Sequence, residues 1–166
     1  KIKDNVSWNA IIVGYVQVED ENEAFSFFRK MMSRGTSSDE VSLASILSAC
    51  ANLKNLDTGR QIHCLSVKCG YSTSLYAGSS RIDMYVKCGF TQEASKVFYS
   101  MQKKSVISMN ALISGLAQEN LQEAVNLYKM LLNEGLSPSE ITFANILDSC
   151  RRVFNLSVGR QIHCLV

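Results

Sequence analysis

Apolar residues recur along this chain at helical rather than strand spacing. Trp8, Ile11, Ile12 and Tyr15 stand at i, i+3, i+4 and i+7, and after a short polar break Ala24, Phe27, Phe28 and Met31 repeat that spacing. Residues three and four apart share one face of a helix, so two such stripes in succession predict a helical hairpin. No segment alternates apolar and polar residues over the length of a strand. The pattern predicts an all-α chain of about ten helices.

The hairpin pattern recurs. GRQIHCL at residues 59–65 returns letter for letter at residues 159–165, an offset of 100. Upstream of each copy, residues 41–58 (VSLASILSACANLKNLDT) align with residues 141–158 (ITFANILDSCRRVFNLSV), with Leu47 and Leu147, Cys50 and Cys150, Asn55 and Asn155, and Leu56 and Leu156 in phase. Apolar positions keep their places while polar ones drift, as a shared buried face does when its solvent face is free. SWNAIIVGY and NEAFSFFRKM align in turn with SMNALISGL and QEAVNLYKML, and residues 78–98 (GSSRIDMYVKCGFTQEASKVF) form a third version.

One register accommodates all of these. It gives units at 5–39, 40–74, 75–105 and 106–139, a truncated unit at 140–166, and the end of a preceding unit at 1–4. Ala24, Ala94 and Ala124 then coincide, as do Phe28, Phe98 and Tyr128, and the small residues permit close approach of helices. Gly35, Gly70 and Gly135 sit just past second helices, where a left-handed residue stops a helix, and Pro138 is the only proline. Hairpins of this size cannot bury both apolar stripes alone. Neighbours must stack, and the expected fold is a right-handed α-solenoid of antiparallel helical hairpins.

Composition changes little in this picture. With 46% apolar residues a core is affordable at 166 residues, and 17 basic against 15 acidic residues leave a net charge of +2, which neither demands nor rules out a polyanionic partner. No apolar run approaches the roughly 18 residues of a membrane span. No secretory pattern opens the chain, which begins in mid-pattern and reads as a piece of a longer protein. Six cysteines without a C-x-x-C pair predict packing positions in a reducing compartment rather than a disulfide framework or a metal site.

Candidate chemistry is sparse. His63 and His163, each followed by a cysteine, invite a catalytic or metal reading, yet on the register they take the place of Phe28 and Phe98, a packing position. There is no H-x-E paired with C-x-x-C, no Walker loop, no G-x-S-x-G and no G-x-G-x-x-G. No catalytic residue, metal or cofactor is expected.

Trp8, Tyr15, Ala24 and Phe28 match the tetratricopeptide pattern in spacing. However, Ile12 stands where that family wants a small residue, and Asn9 follows the aromatic. At WNAIIVGY the chain resembles instead the pentatricopeptide repeat (PPR) family, specifically the plant PLS class in which P-, L- and S-type motifs alternate. VSWNAIIVGY opens a P-type motif, ILSACANLKNLDTGRQIHCLSVKCGY resembles an L-type motif, and IDMYVKCGFTQEASKVF an S-type motif, in the order P, L, S, P, L. Three departures stand out: Met109 replaces the usual Trp, Glu19 replaces the usual Gly between helices, and the second P-type unit lacks one residue near Glu119 and Asn120.

The resemblance implies a single-stranded RNA partner read at one base per repeat by two or three side chains. It places reading at the fifth residue of each unit together with the last, with the second residue packed between successive bases. The first unit then offers Asn9, Asp39 and Val6, expected to favour uridine. The third offers Ser79, Ser105 and Tyr76, expected to favour a purine, and the fourth Asn110, Ser139 and Ile107, a pyrimidine with less strictness. The L-type units place Ala44 with Ser74, and Ala144, at these positions; alanine offers a base no hydrogen bond, so these units are expected to space rather than select. The expected preference, five prime to three prime, is U, any, purine, pyrimidine.

By the same resemblance the chain is expected to be an RNA-binding segment of an organellar RNA-processing factor in mitochondrion or chloroplast, acting in C-to-U editing. Its further partners would be editing-complex proteins or a deaminase domain in cis or in trans; no membrane is implied. A helical scaffold binding a protein or peptide, as tetratricopeptide proteins do, is the rival expectation.

Overall fold

The structure is a computed structural model and describes residues 4–152 together with 159, 160 and 162. Among the described residues there are nine helices and no strand: α1 (Asn5–Gln17), α2 (Glu21–Ser33), α3 (Glu40–Asn52), α4 (Leu56–Lys68), α5 (Leu75–Lys87), α6 (Thr91–Ser100), α7 (Val106–Glu119), α8 (Leu121–Asn133) and α9 (Glu140–Arg152). The tenth expected helix falls mostly on residues outside those described; residues 159, 160 and 162 within it are helical. The class is the expected one, an all-α solenoid of stacked helical hairpins.

Helix starts are dictated by short polar side chains. The first backbone N–H groups of a helix lack intrahelical partners, and Asp, Asn or Ser at the cap supplies an acceptor. Asp4 caps α1 through Ser7 N at 2.7 Å, Asp20 caps α2 through Glu23 N, Asn55 caps α4 through Thr58 N, and Asn120 caps α8 through Glu123 N. The hydrogen bond from Ser7 also holds the Asp4 carboxyl below its usual range. Gly35, Gly70 and Gly135 adopt the left-handed backbone expected of them, with φ of 72°, 88° and 71°.

The turns inside the hairpins explain the anomalies at Glu19 and Asn120. Gly89 turns the chain between α5 and α6 at φ 79°, while Glu19 and Lys54 do the same job at φ 60° and 52° despite carrying a Cβ. Between α7 and α8 the link shrinks to Asn120 alone, which ends one helix and caps the next.

The chain forms two compact units, residues 1–103 and 104–166. In the first, α1–α2, α3–α4 and α5–α6 are antiparallel hairpins; α3 packs on both α1 and α5, and α2 packs on α3 as α4 packs on α5. The first helices thus form a continuous row, and α3 at its centre buries nine residues from Ser42 to Ala51. Ala24 and Ala94 are fully buried, as the close approach requires. Gly59 serves the same end: a Cβ there would lie 2.4 Å from Met84 Sδ on α5. In the second unit α7 packs on α8 and α9, and α8 on α9, around Leu112, Ile113, Ala124, Tyr128 and Ile146. Met109 is fully buried there, filling core volume as Trp8 does in the first unit.

One buried charge has no counterpart in the expected core. Arg81 on α5 is 2% exposed, and its guanidinium donates from Nη2 to the carbonyls of Tyr71 (3.1 Å) and Ser72 (2.7 Å) and from Nε to Ala77 O (3.2 Å). It ties down the turn between α4 and α5, and hence the start of α5.

The strain at Glu19 is testable. Left-handed backbone costs an L-residue roughly 1–2 kcal/mol, partly offset by the greater unfolded-state freedom of glycine. Glu19→Gly should therefore stabilise the chain by about 0.5–1 kcal/mol in urea unfolding; a loss of stability would show that the Glu19 side chain contributes more than its backbone costs.

Candidate nucleic-acid interface

Every first helix starts on the last residue of the preceding unit, so the positions expected to face a base are built into helix caps. Asp39 shows how one side chain both caps a helix and holds a second polar contact. Its Oδ1 accepts from Ser42 N at 2.9 Å, while Ser42 Oγ accepts from Asp39 N at 3.0 Å, closing a capping box. Its other oxygen, Oδ2, accepts from Nδ2 of Asn9 at 2.7 Å. Asn9 lies thirty residues earlier, on α1, half-buried.

That contact fixes the Asn9 amide. An ionised carboxylate only accepts, so Asn9 must turn its NH2 to Asp39 and direct its carbonyl oxygen elsewhere. Asn9 Oδ1 is shielded from water and has no hydrogen-bond partner. A buried acceptor left unpaired costs roughly 1–3 kcal/mol, which a ligand donor would recover.

The same orphan recurs in the fourth unit. Asn110 Oδ1 is likewise buried without a partner. Here the last residue is Ser139, whose Oγ accepts from Thr142 N at 3.1 Å and shares a hydrogen with Thr142 Oγ1 at 2.8 Å. In the third unit Ser79 donates to Leu75 O at 2.8 Å, and Ser105 caps α7 by accepting from Ser108 N at 3.1 Å. In the second unit Ala44 is buried, and Ser74, the cap of α5, donates its hydroxyl to Glu40 Oε1.

The second residue of each unit is apolar yet exposed: Val6 at 77%, Tyr76 at 55% and Ile107 at 71%. Each stands on the first turn of its helix, close in sequence to the polar positions just described.

Two stretches, residues 3–52 and 79–106, match the models described as PPR repeat family and PPR repeat. These stretches are pentatricopeptide repeats. The chain is 52% identical over 97% of its length to a mitochondrial pentatricopeptide repeat-containing protein of Arabidopsis thaliana, and 37% identical over 99% of its length to a second mitochondrial one from the same plant. It spans 16% and 26% of those relatives. Among solved structures it is similar to the pentatricopeptide repeat protein PPR10 from maize, with a TM-score of 0.78 and 22% identity over 96% of this chain and 24% of that one. A structure of PPR10 in complex with an 18-nucleotide psaJ RNA element matches with a TM-score of 0.78 over 95% of this chain and 24% of that one, at 21% identity.

Viewed as pentatricopeptide repeats, the units contain two residues that the expected set left out. Val41 and Ile141 hold the second position of the second and fifth units and are exposed, Ile141 at 71%. Their phase with Val6, Tyr76 and Ile107 was the available signal. Arg81 and Glu40, by contrast, carry no local signal, because their partners lie on other elements.

His63 has a structural role within the repeat. It is half-buried on α4, with Nδ1 2.9 Å from Tyr85 Oη on α5 and the two rings edge to face at 5.6 Å. His163 lies outside the described residues. Among the described residues no cluster of three or more His, Cys, Asp or Glu side chains could hold a metal ion, and no helix is long and apolar enough to cross a membrane.

Burial, aided by the Arg81 charge, pushes the His63 pKa below its usual value. The folded state therefore binds fewer protons than the unfolded one just below the unfolded pKa of about 6.5, so stability falls as pH drops through that value. His63→Phe should remove this slope. Urea midpoints of the two proteins between pH 7.5 and 5.0 check it, and parallel curves would place the titration elsewhere.

Proposed function

We propose that this chain is a sequence-specific single-stranded RNA-binding segment, with the Asn9 and Asp39 pair reading uridine. The observation that carries this is the orphaned Asn9 Oδ1, aimed by the bond from Nδ2 to Asp39. Uridine presents an N3–H that can donate to that oxygen. Cytidine presents a lone pair at N3, which would meet it as acceptor against acceptor. Asp39 therefore acts on specificity through the amide it orients.

Asn110 carries the same orphan but pairs with a hydroxyl position. A serine can donate or accept, so it does not force the amide one way, and a pyrimidine of either kind is accommodated. Ser79, Ser105 and Tyr76 would take a purine. Val6, Tyr76 and Ile107 would stack against neighbouring bases, with apolar contact in place of broad aromatic platforms except at Tyr76. The reading along the RNA, five prime to three prime, is U, any, purine, pyrimidine.

The RNA complex of PPR10, a protein of similar fold, supports an RNA partner, and the names of the Arabidopsis relatives support the mitochondrion. On the P, L, S alternation of its motifs we assign the chain to the PLS class and to C-to-U editing, holding a transcript in register for a deaminase domain in cis or in trans. Equal binding to matched and scrambled RNA would favour a peptide-binding scaffold instead.

Asp39→Asn is the sharpest test, since Asn caps a helix about as well as Asp and the fold should survive. The new Nδ2 can donate to Asn9 Oδ1, which turns the Asn9 NH2 outward. By fluorescence anisotropy the parent chain should prefer uridine over cytidine at the first position by about 5- to 100-fold, the scale of one direct base contact. The variant should bring that ratio near unity. An unchanged ratio would remove Asp39 from the reading.

A further inference from the structure

The group that holds Asp39 in place belongs to the next unit. Ser42, on the first turn of α3, is 0% exposed, and its N–H and hydroxyl make three hydrogen bonds, all of them to Asp39. The N–H donates to Asp39 Oδ1 at 2.9 Å, while Ser42 Oγ accepts from Asp39 N at 3.0 Å and donates to Asp39 O at 2.9 Å. Among the described residues the Asp39 N–H has no other partner, and the preceding bonded N–H of this loop is that of Thr36, which donates to Met31 O at 3.3 Å. The Ser42 hydroxyl thus fastens the end of the loop to the start of α3.

That fastening bears on the Asn9 amide. A carboxylate is planar, so with Oδ1 held on Ser42 N the place of Oδ2 follows from where the Asp39 backbone lies. Asn9 Nδ2 must meet Oδ2 at 2.7 Å from the preceding hairpin, and a hydrogen bond weakens steeply when its partners drift out of line. Ser42 itself is closed to a ligand by its burial. It can act on a base only through Asp39.

Other unit boundaries repeat the arrangement. Ser108 Oγ accepts from Ser105 N at 2.9 Å and donates to Ser105 O at 2.8 Å, and Thr142 Oγ1 lies 2.8 Å from Ser139 Oγ. Both are fully buried, as Ser42 is. Where the third position is Ala77, which has no hydroxyl, a different group takes over: Glu40 Oε1 accepts from the Ser74 hydroxyl and from Ala77 N at 3.2 Å.

We infer that Ser42 is a positioning residue for the first unit, its hydroxyl holding Asp39 so that Oδ2 keeps the Asn9 amide turned toward uridine. The specificity of a unit then depends on its fifth residue, its last residue and the third residue of the unit that follows.

This rests on the uridine reading above, and the test keeps the two apart. Fluorescence anisotropy with RNAs carrying uridine or cytidine at the first position gives the ratio of affinities for each variant. Ser42→Ala keeps the backbone N–H that Asp39 caps, yet should lower the uridine to cytidine ratio by about 2- to 10-fold, the scale of one hydrogen bond. Ser42→Thr restores the hydroxyl and should restore the ratio, as Thr142 fills the same position. Should the alanine variant not fold, Ser42→Cys, with its weaker donor and acceptor, should lower the ratio in the same direction. Asn55→Ala removes a cap from α4, away from the first-helix row, and should leave the ratio as it is. An unchanged ratio in Ser42→Ala, or an equal fall in Asn55→Ala, overturns the role of Ser42 while leaving the Asn9 and Asp39 pair in place. A parent chain without preference for uridine overturns the uridine reading and this role with it.

Discussion

The hydrogen bond that each unit's last residue lends to the next unit's first helix is the constraint on which the remainder rests. A helix cannot begin inside a packed solenoid with its first N–H groups unpaired, so Asp39, Ser74, Ser105 and Ser139 must each offer an oxygen to the backbone three residues on. Asp39 also lies where the fifth residue of its own unit, Asn9, reaches it. Capping thus favours Asp, Asn, Ser and Thr at the last position of each unit.

Packing sets what those caps can do. The row formed by α1, α3 and α5 is held by apolar contacts, and closeness depends on small residues such as Ala24, Ala94 and Gly59. With the row this tight, a side chain on one first helix touches the cap of the next. Asn9 reaches Asp39 and Glu40 reaches Ser74 by the same stacking, one from position five and the other from position one. Arg81 secures the turn leading into α5 through the backbone carbonyls of Tyr71 and Ser72.

Local features were legible in the sequence because their causes are local. The paired stripes at Trp8 and Ala24 give hairpins, Gly35 and Gly135 stop helices by their left-handed backbone, and the missing residue at Asn120 becomes a one-residue link. What could not be read was every contact made across stacked hairpins. The Asn9 to Asp39 bond, the reach of Glu40 and the carbonyl cage around Arg81 join residues up to thirty-seven apart, and their geometry exists only once the helices have packed. A buried arginine in particular runs against expectation from residue type, since its charge is tolerated only where carbonyls surround it.

The orientation of the Asn9 amide is best tested with a chemically altered base. Replacing the first-position uridine by N3-methyluridine removes the N3–H while leaving O2 and O4 in place. If Asn9 Oδ1 accepts that hydrogen, the methylated RNA should bind about tenfold or more weakly than its parent, in line with loss of one buried hydrogen bond. Equal affinity for the two RNAs would contradict the assignment of Asn9 Oδ1 as the reading atom.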